Sequence, residues 1–195
     1  MNREKILKYT FFTLIGIIIL FFGLREAYLH VSLSLPEEQE IPASEMVETL
    51  DSLMGDYHKT RDILTIPTIL NYLSKLNTFE YGKHKAAVIG FLTGLLHEEG
   101  RDHAKYWKKL KISRQAKKAI DIALVVEPKI DDLLNSDESL KDIQSIDFYW
   151  GYFAATYDMR CIKLIIKTKN DKQRPEKVRE AAERSLEYNR MRHNF

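Results

Sequence analysis

Cysteine is almost missing. Cys161 is the only one among 195 residues, so no disulfide can close within the chain and a cysteine-rich metal centre is excluded. Its neighbours Ile162, Leu164, Ile165 and Ile166 make it a small hydrophobe rather than a reactive thiol. A surplus of one charge is missing too. The net charge of +2 by itself points to no polyanionic or polycationic partner. No stretch alternates apolar and polar residues between glycine or asparagine turns, so strands are not expected. No G-x-S-x-G nucleophile elbow and no G-x-x-x-x-G-K-S/T phosphate loop occurs, and the lone cysteine has no recognisable histidine partner.

What is present begins with an uncharged run, YTFFTLIGIIILFFGL at 9–24. With Ile6 and Leu7 it approaches the roughly 20 residues that a bilayer-spanning helix needs. Arg3, Lys5 and Lys8 precede it, and after Arg25 no lysine or arginine appears until Lys59. That asymmetry places the N-terminus in the cytoplasm and the remainder outside, at the inner membrane of a cell envelope. A cleaved signal peptide and a buried core helix compete with this reading. The cleaved leader fits less well, because Arg25 and Glu26 follow the apolar core directly and the nearest small pair, Ser32 and Ser34, lies far downstream. The core helix fits least, because Ile15–Leu24 is apolar on every face. The expected organisation is a basic cytoplasmic terminus (1–8), a signal anchor (9–26), an acidic tether (27–43) and an exported helical domain (44–195).

Within 44–195 the apolar residues recur at helical spacing. Ser44 is an expected N-cap with Gly55 as the stop. Further helices are expected from Pro67 to Leu76 and over 84–99, 101–110, 113–126, 139–156, 158–168 and 175–190, with a turn or two after Lys129. The expected fold is all-α, a compact or solenoid-like array of helical hairpins.

Charge is segregated along this domain. Residues 101–118 hold eight lysines and arginines and one acid; residues 121–147 hold eight acids and two lysines; residues 160–179 are basic again, eight against two. Such runs form solvated outer faces that pair with neighbouring helices. The basic 101–118 segment also has the composition of a surface for anionic lipid.

SIDFYWGYFAATYD at 145–158 is dense in aromatics. On a helix its small residues Gly151, Ala154 and Ala155 allow a second helix to approach closely, and Asp158 can cap the helix that follows. Phe148, Trp150 and Phe153 are expected in the core, with tyrosine hydroxyls at its edge. A fainter echo stands 61 residues upstream, where VIGFLTGLLHEEGRDHAKYW repeats the order of apolar helix with Gly90 and Gly94, polar turn, and aromatic helix.

GFLTGLLHEEG at 90–100, YWGYFAATYD at 149–158 and AAERSLEYNRMRH at 181–193 together resemble an uncharacterised family of small bacterial helical proteins. Its corresponding pieces run roughly as a G-F-L helix, a W-G-x-F-x-A-T-G-D turn and an A-A-x-W-S-L-x-x-N-x-x-x-H terminal helix. Tyr157 stands where that pattern has its turn glycine, and Arg184 where it has tryptophan. The resemblance covers about residues 84–193 as short patterns. It implies a helical fold and an exported bacterial origin and brings no activity with it.

Ligand-type side chains gather only in HEEGRDH at 97–103. A zinc protease needs histidines four apart on one helix face, whereas His97 and His103 are six apart with Gly100 between them. His97, Glu98 and His103 are therefore candidate ligands only if the turn folds them together, as an envelope hydrolase would require. No catalytic residue and no cofactor is expected. Trp107, Tyr149 and Tyr152 are the candidate contacts for a protein or peptide partner, wherever they escape the core. The basic tail with Arg184, Arg190, Arg192 and His193 would not meet nucleic acid outside the cytoplasm.

Overall fold

A computed structural model describes residues 42–76 and 85–193, and these are helical with no strand among them. The elements are α1 (Ala43–Thr60), a 3-10 turn (Ile63–Thr65), α2 (Ile66–Lys75), α3 (Lys85–Glu99), α4 (His103–Trp107) and α5 (Arg114–Val125). They continue with α6 (Ile130–Asn135), α7 (Ile143–Thr156), α8 (Met159–Asn170) and α9 (Glu176–His193). The expected anchor at 9–26 and nearly all of the expected tether lie outside the described residues. Among the described residues no helix is long and apolar enough to cross a membrane.

Local chemistry explains most of the helix ends. Ser113 caps α5 by accepting from the Ala116 amide at 3.1 Å, Asp142 caps α7 through the Ser145 amide at 2.7 Å, and Asp158 caps α8 through the Arg160 amide at 3.0 Å. Pro67 sits in the first turn of α2, where its missing N–H costs nothing. Two ends depart from expectation. α1 starts at Ala43 with Pro42 before it and runs through Gly55 to Thr60. Leu50 and Tyr57 lie on one buried stripe spanning that glycine, and their burial outweighs the roughly 1 kcal/mol that a mid-helix glycine costs. The expected 101–110 helix shrinks to the single turn of α4, which ends on buried Trp107, and Leu110 buries from the turn beyond it.

The core forms two clusters. The first joins α1–α5 around Ile69, Leu70, Phe91, Leu92, Leu95, Trp107 and Ile120. The second joins α6–α9 around Ile130, Leu140, Phe153, Leu164, Ile165 and Val178. The seam between them is α3 against α7, the most extensive helix pairing in the described structure. The two helices run parallel, and each has a small residue where the other's backbone comes closest. A Cβ on Gly90 would run into the carbonyl of Phe148, and a Cβ on Gly151 into that of Ala87, in each case the residue three before the opposing glycine. One turn on, Gly94 faces Ala155, at 2.6 Å from where its own Cβ would stand. The echo at 61 residues is therefore a pseudo-twofold seam. Small residues let two backbones touch, and dispersion and close dipoles replace side-chain packing.

Candidate functional site

The HEEGRDH segment spans the end of α3 and the turn into α4. His97, Glu98 and Glu99 end α3, but each reaches toward a different partner. The His97 Nδ1 is hydrogen-bonded to the Tyr152 hydroxyl of α7 at 2.8 Å. Glu98 accepts from the Arg61 guanidinium at 3.0 Å, and the same guanidinium donates to the Thr156 carbonyl at the end of α7 at 3.3 Å. Glu99 accepts from the Tyr57 hydroxyl of α1 at 2.8 Å. The segment thus ties the C-terminal ends of α1, α3 and α7 together, and Arg61 answers the exposed carbonyls and negative dipole of α7. His103 lies beyond the turn at Gly100, which adopts φ +98°, and lines a separate polar cleft with Asp102, Lys105 and Tyr106. His97, Glu98 and His103 do not converge, and no group of three or more His, Cys, Asp or Glu side chains among the described residues could hold a metal ion.

The aromatic candidates are also placed differently from expectation. Trp107 is 0% exposed, Tyr149 6% and Tyr152 3%, so their rings lie in the core, and of the three Tyr149 alone keeps an edge on the groove beside Phe148. Burial pushes the hydroxyls of Tyr149 and Tyr152 up to about 12, and the Cys161 thiol up to about 12 as well, which keeps that thiol protonated and inert. Phe153 is fully buried as expected, but Phe148 and Trp150 are half-buried. Tyr157, where the resembled pattern has glycine, adopts φ +57°, the left-handed region that glycine favours. Its ring stacks on His58 at 4.4 Å, which fixes the residue there.

The half-buried Phe148 leads to the site that sequence reasoning missed. Beside it opens a groove of about 400 Å³ between the α5–α6 connection and the start of α7. Val126, Pro128, Leu133, Leu140, Phe148 and the edge of Tyr149 form its apolar surface. Lys129, Lys141, Gln144 and Ser145 stand around it. Asp142 also lies there, but its carboxylate is engaged in capping α7 through the Ser145 amide and hydroxyl at 2.7 and 2.8 Å.

The loop 136–142 that walls this groove is irregular, so its polar backbone needs partners from elsewhere. α8 and the turn after it supply them. The Leu140 amide donates to the Thr168 hydroxyl at 3.0 Å, inside the protein. Arg174 donates to the Ser139 hydroxyl and carbonyl, both at 2.8 Å, and Ser139 donates to Asp171 at 2.6 Å. The Ser139 hydroxyl and the Gln173 amide hold the Asp171 carboxyl below its usual range. Lys167 donates to the Leu133 and Ser136 carbonyls. The wall is thus pinned by bonds at Ser136, Ser139 and Leu140. One signal in the sequence pointed to this groove: Val125 and Val126 precede the helix-ending Pro128 with only Glu127 between, apolar residues at a place where the chain must leave its helix.

Comparison of the chain with protein-family models, curated proteins and solved structures finds no match in any of the three. The class is therefore defined by architecture alone: an all-helical domain of two cores joined at a glycine seam, with an apolar groove of peptide side-chain dimensions at one edge.

Proposed function

We propose that this chain is a membrane-anchored, exported helical domain that binds a protein or peptide partner and catalyses no reaction. The groove between Val126 and Tyr149 carries the reading. An apolar trough with charges of both signs at its margin, Glu127 and Asp142 beside Lys129 and Lys141, and a hydrogen-bonded wall is suited to receiving one or two hydrophobic side chains of a partner while its backbone stays at the polar rim. The apolar run 9–24 and the charge asymmetry around it support attachment to the inner membrane with the N-terminus in the cytoplasm and the helical domain on the far side. The resemblance over 84–193 to small exported bacterial helical proteins supports the same compartment.

A photoreactive benzoylphenylalanine at Gln144, on the groove, and at Lys163, on the outer face of α8, tests the binding reading in cells. A discrete adduct from position 144 alone, lost on Val126→Asp, is the expected result. Equal crosslinking at both positions, or none at either, overturns it. Topology is read separately by a membrane-impermeant maleimide on Ser136→Cys. Labelling in intact spheroplasts is expected, and labelling only after lysis overturns the exported placement.

A further inference from the structure

α5 turns toward solvent a face of nearly one sign. Arg114, Lys117 and Lys118 fall within about 100° of the helix circumference, opposite the buried Ala116, Ala119, Ile120 and Ala123. Lys111 stands just before the Ser113 cap. None of these four makes an ion pair or side-chain hydrogen bond among the described residues. The one carboxylate on the same arc, Asp121, is already taken by Lys108. Other cations are engaged: Arg61 pairs with Glu98, Arg160 with Asp131 and Asp158, and Arg174 with Asp171.

The same arc ends one turn later at Val125, which is 77% exposed. The N-terminal end of α5 is held in place by the Ser113 amide, which donates to the Ser74 hydroxyl at the end of α2 at 2.6 Å. The face is convex, with cations spread over two turns and an apolar tip. It has no walls to enclose a peptide, but an extended plane can meet all of it at once. Outward-facing cations are drawn to an anionic leaflet, and an apolar residue at the end of their arc can dip below them.

We propose that the Lys111–Val125 face of α5 rests on the anionic lipid headgroups of a bilayer, with Val125 at the acyl boundary. The proposal rests on the anchored reading above. An anchored domain is already held beside the bilayer, so the charges need only choose its orientation. Each lysine or arginine brought to an anionic leaflet multiplies surface partition about fivefold, so the four together are worth roughly two to three orders of magnitude. The groove begins one residue past Val125, so this orientation would bring it to the level of the lipid surface.

The full chain is reconstituted into vesicles of phosphatidylcholine alone and of phosphatidylcholine with about a third phosphatidylglycerol. A carbonate wash comes first: a chain that washes off lacks the anchor, and the anchored reading fails by itself. For the chain that stays, an environment-sensitive dye on Val125→Cys is read against a headgroup quencher, with the same dye on Lys163→Cys as reference; the buried Cys161 does not compete for label. Strong quenching at position 125 is expected in the anionic vesicles only. It should fall at least tenfold in the combined Lys111→Glu, Arg114→Glu, Lys118→Glu variant and in high salt, while position 163 stays unquenched throughout. Equal quenching in neutral and anionic vesicles, or quenching that survives the triple charge reversal with helicity intact, overturns the proposal. So does soluble poly-glutamate that displaces the face from anionic vesicles at equal charge, which would make it an acidic-peptide site.

Discussion

The two cores are built by different rules. In the first half, α1–α5, the interior is aliphatic and aromatic apart from Thr93, whose hydroxyl donates within its own helix to the Ile89 carbonyl. Its inter-helix polar bonds lie where Tyr57, Arg61, Glu98 and Glu99 meet and at the Ser74–Ser113 contact. In the second half, α6–α9, polar groups enter the interior: Ser139 is 1% exposed and Thr168 0%. The cause is the loop 136–142. Regular helices satisfy most of their own backbones, so α1–α5 need few polar side chains inside. An irregular loop packed against a core must borrow donors and acceptors from side chains. The half that accepted that requirement is the half with the groove. The comparison teaches that the candidate binding site exists because regular structure was interrupted there and the interruption was then pinned.

Breaking the joint between the halves should have the largest effect. Gly151→Ala or Gly90→Ala puts a methyl group against an opposing backbone carbonyl that no rotamer change can move. Either should cost about 3 kcal/mol or more, or prevent folding, and denaturant unfolding measures it. Gly100→Ala is the reference: no atom lies near its added Cβ, so only the left-handed backbone resists, and the loss should be nearer 1 kcal/mol.

Alkaline pH should separate the halves next. Tyr149 and Tyr152 in the second half are held protonated to about 12, against 10.0 when unfolded, and Cys161 to about 12 against 9.0. Tyr57 in the first half is raised as well, by burial and by its bond to Glu99. A folded pKa above the unfolded one stabilises below the unfolded value and loses that contribution as pH rises toward the folded value. Stability should therefore fall between about pH 9 and 12, and hydrogen exchange should show α7 and α8 opening before α2 and α5. Simultaneous opening would mean that the seam makes one cooperative unit of both halves.

A narrower cut is Thr168→Val. It keeps the volume, removes the acceptor of the Leu140 amide and leaves a buried N–H unpaired, at about 2 kcal/mol. The loss should appear as faster exchange in 136–142 and weaker crosslinking from Gln144, with the first half unchanged. The smallest effect belongs to Lys59→Ala. Its pairing with Asp56 at 2.8 Å is exposed on both sides, so stability should move by less than about 0.5 kcal/mol in thermal unfolding.

Much of this fold was legible from the chain. The helical period placed α2, α3, α5, α7 and α8 to within a few residues, and the cap at Asp158 is as its side chain suggested. Glycine misled at position 55, because local propensity says stop while Leu50 and Tyr57 share a buried stripe on both sides of it. Of the candidate contacts, Trp107 and Tyr152 stay in the core, because aromatic rings gain most by burial, while Tyr149 keeps an edge on the groove. HEEGRDH looked like ligand chemistry because its residue types are ligands, yet what each side chain meets depends on helices more than thirty residues away.

By itself the sequence determined that the described chain is helical, where most helices begin and end, and that small residues recur 61 positions apart. Those are properties of neighbours within a few turns, which the 3.6-residue period and the capping side chains control directly. Only the tertiary structure decided that Gly90 and Gly151 face each other's backbones, that the aromatic candidates bury, and that a groove opens between Val126 and Tyr149. Each of these depends on which distant surfaces pack together, and that is settled by total buried area and by where an irregular backbone can find its hydrogen bonds, neither of which any short stretch of residues contains.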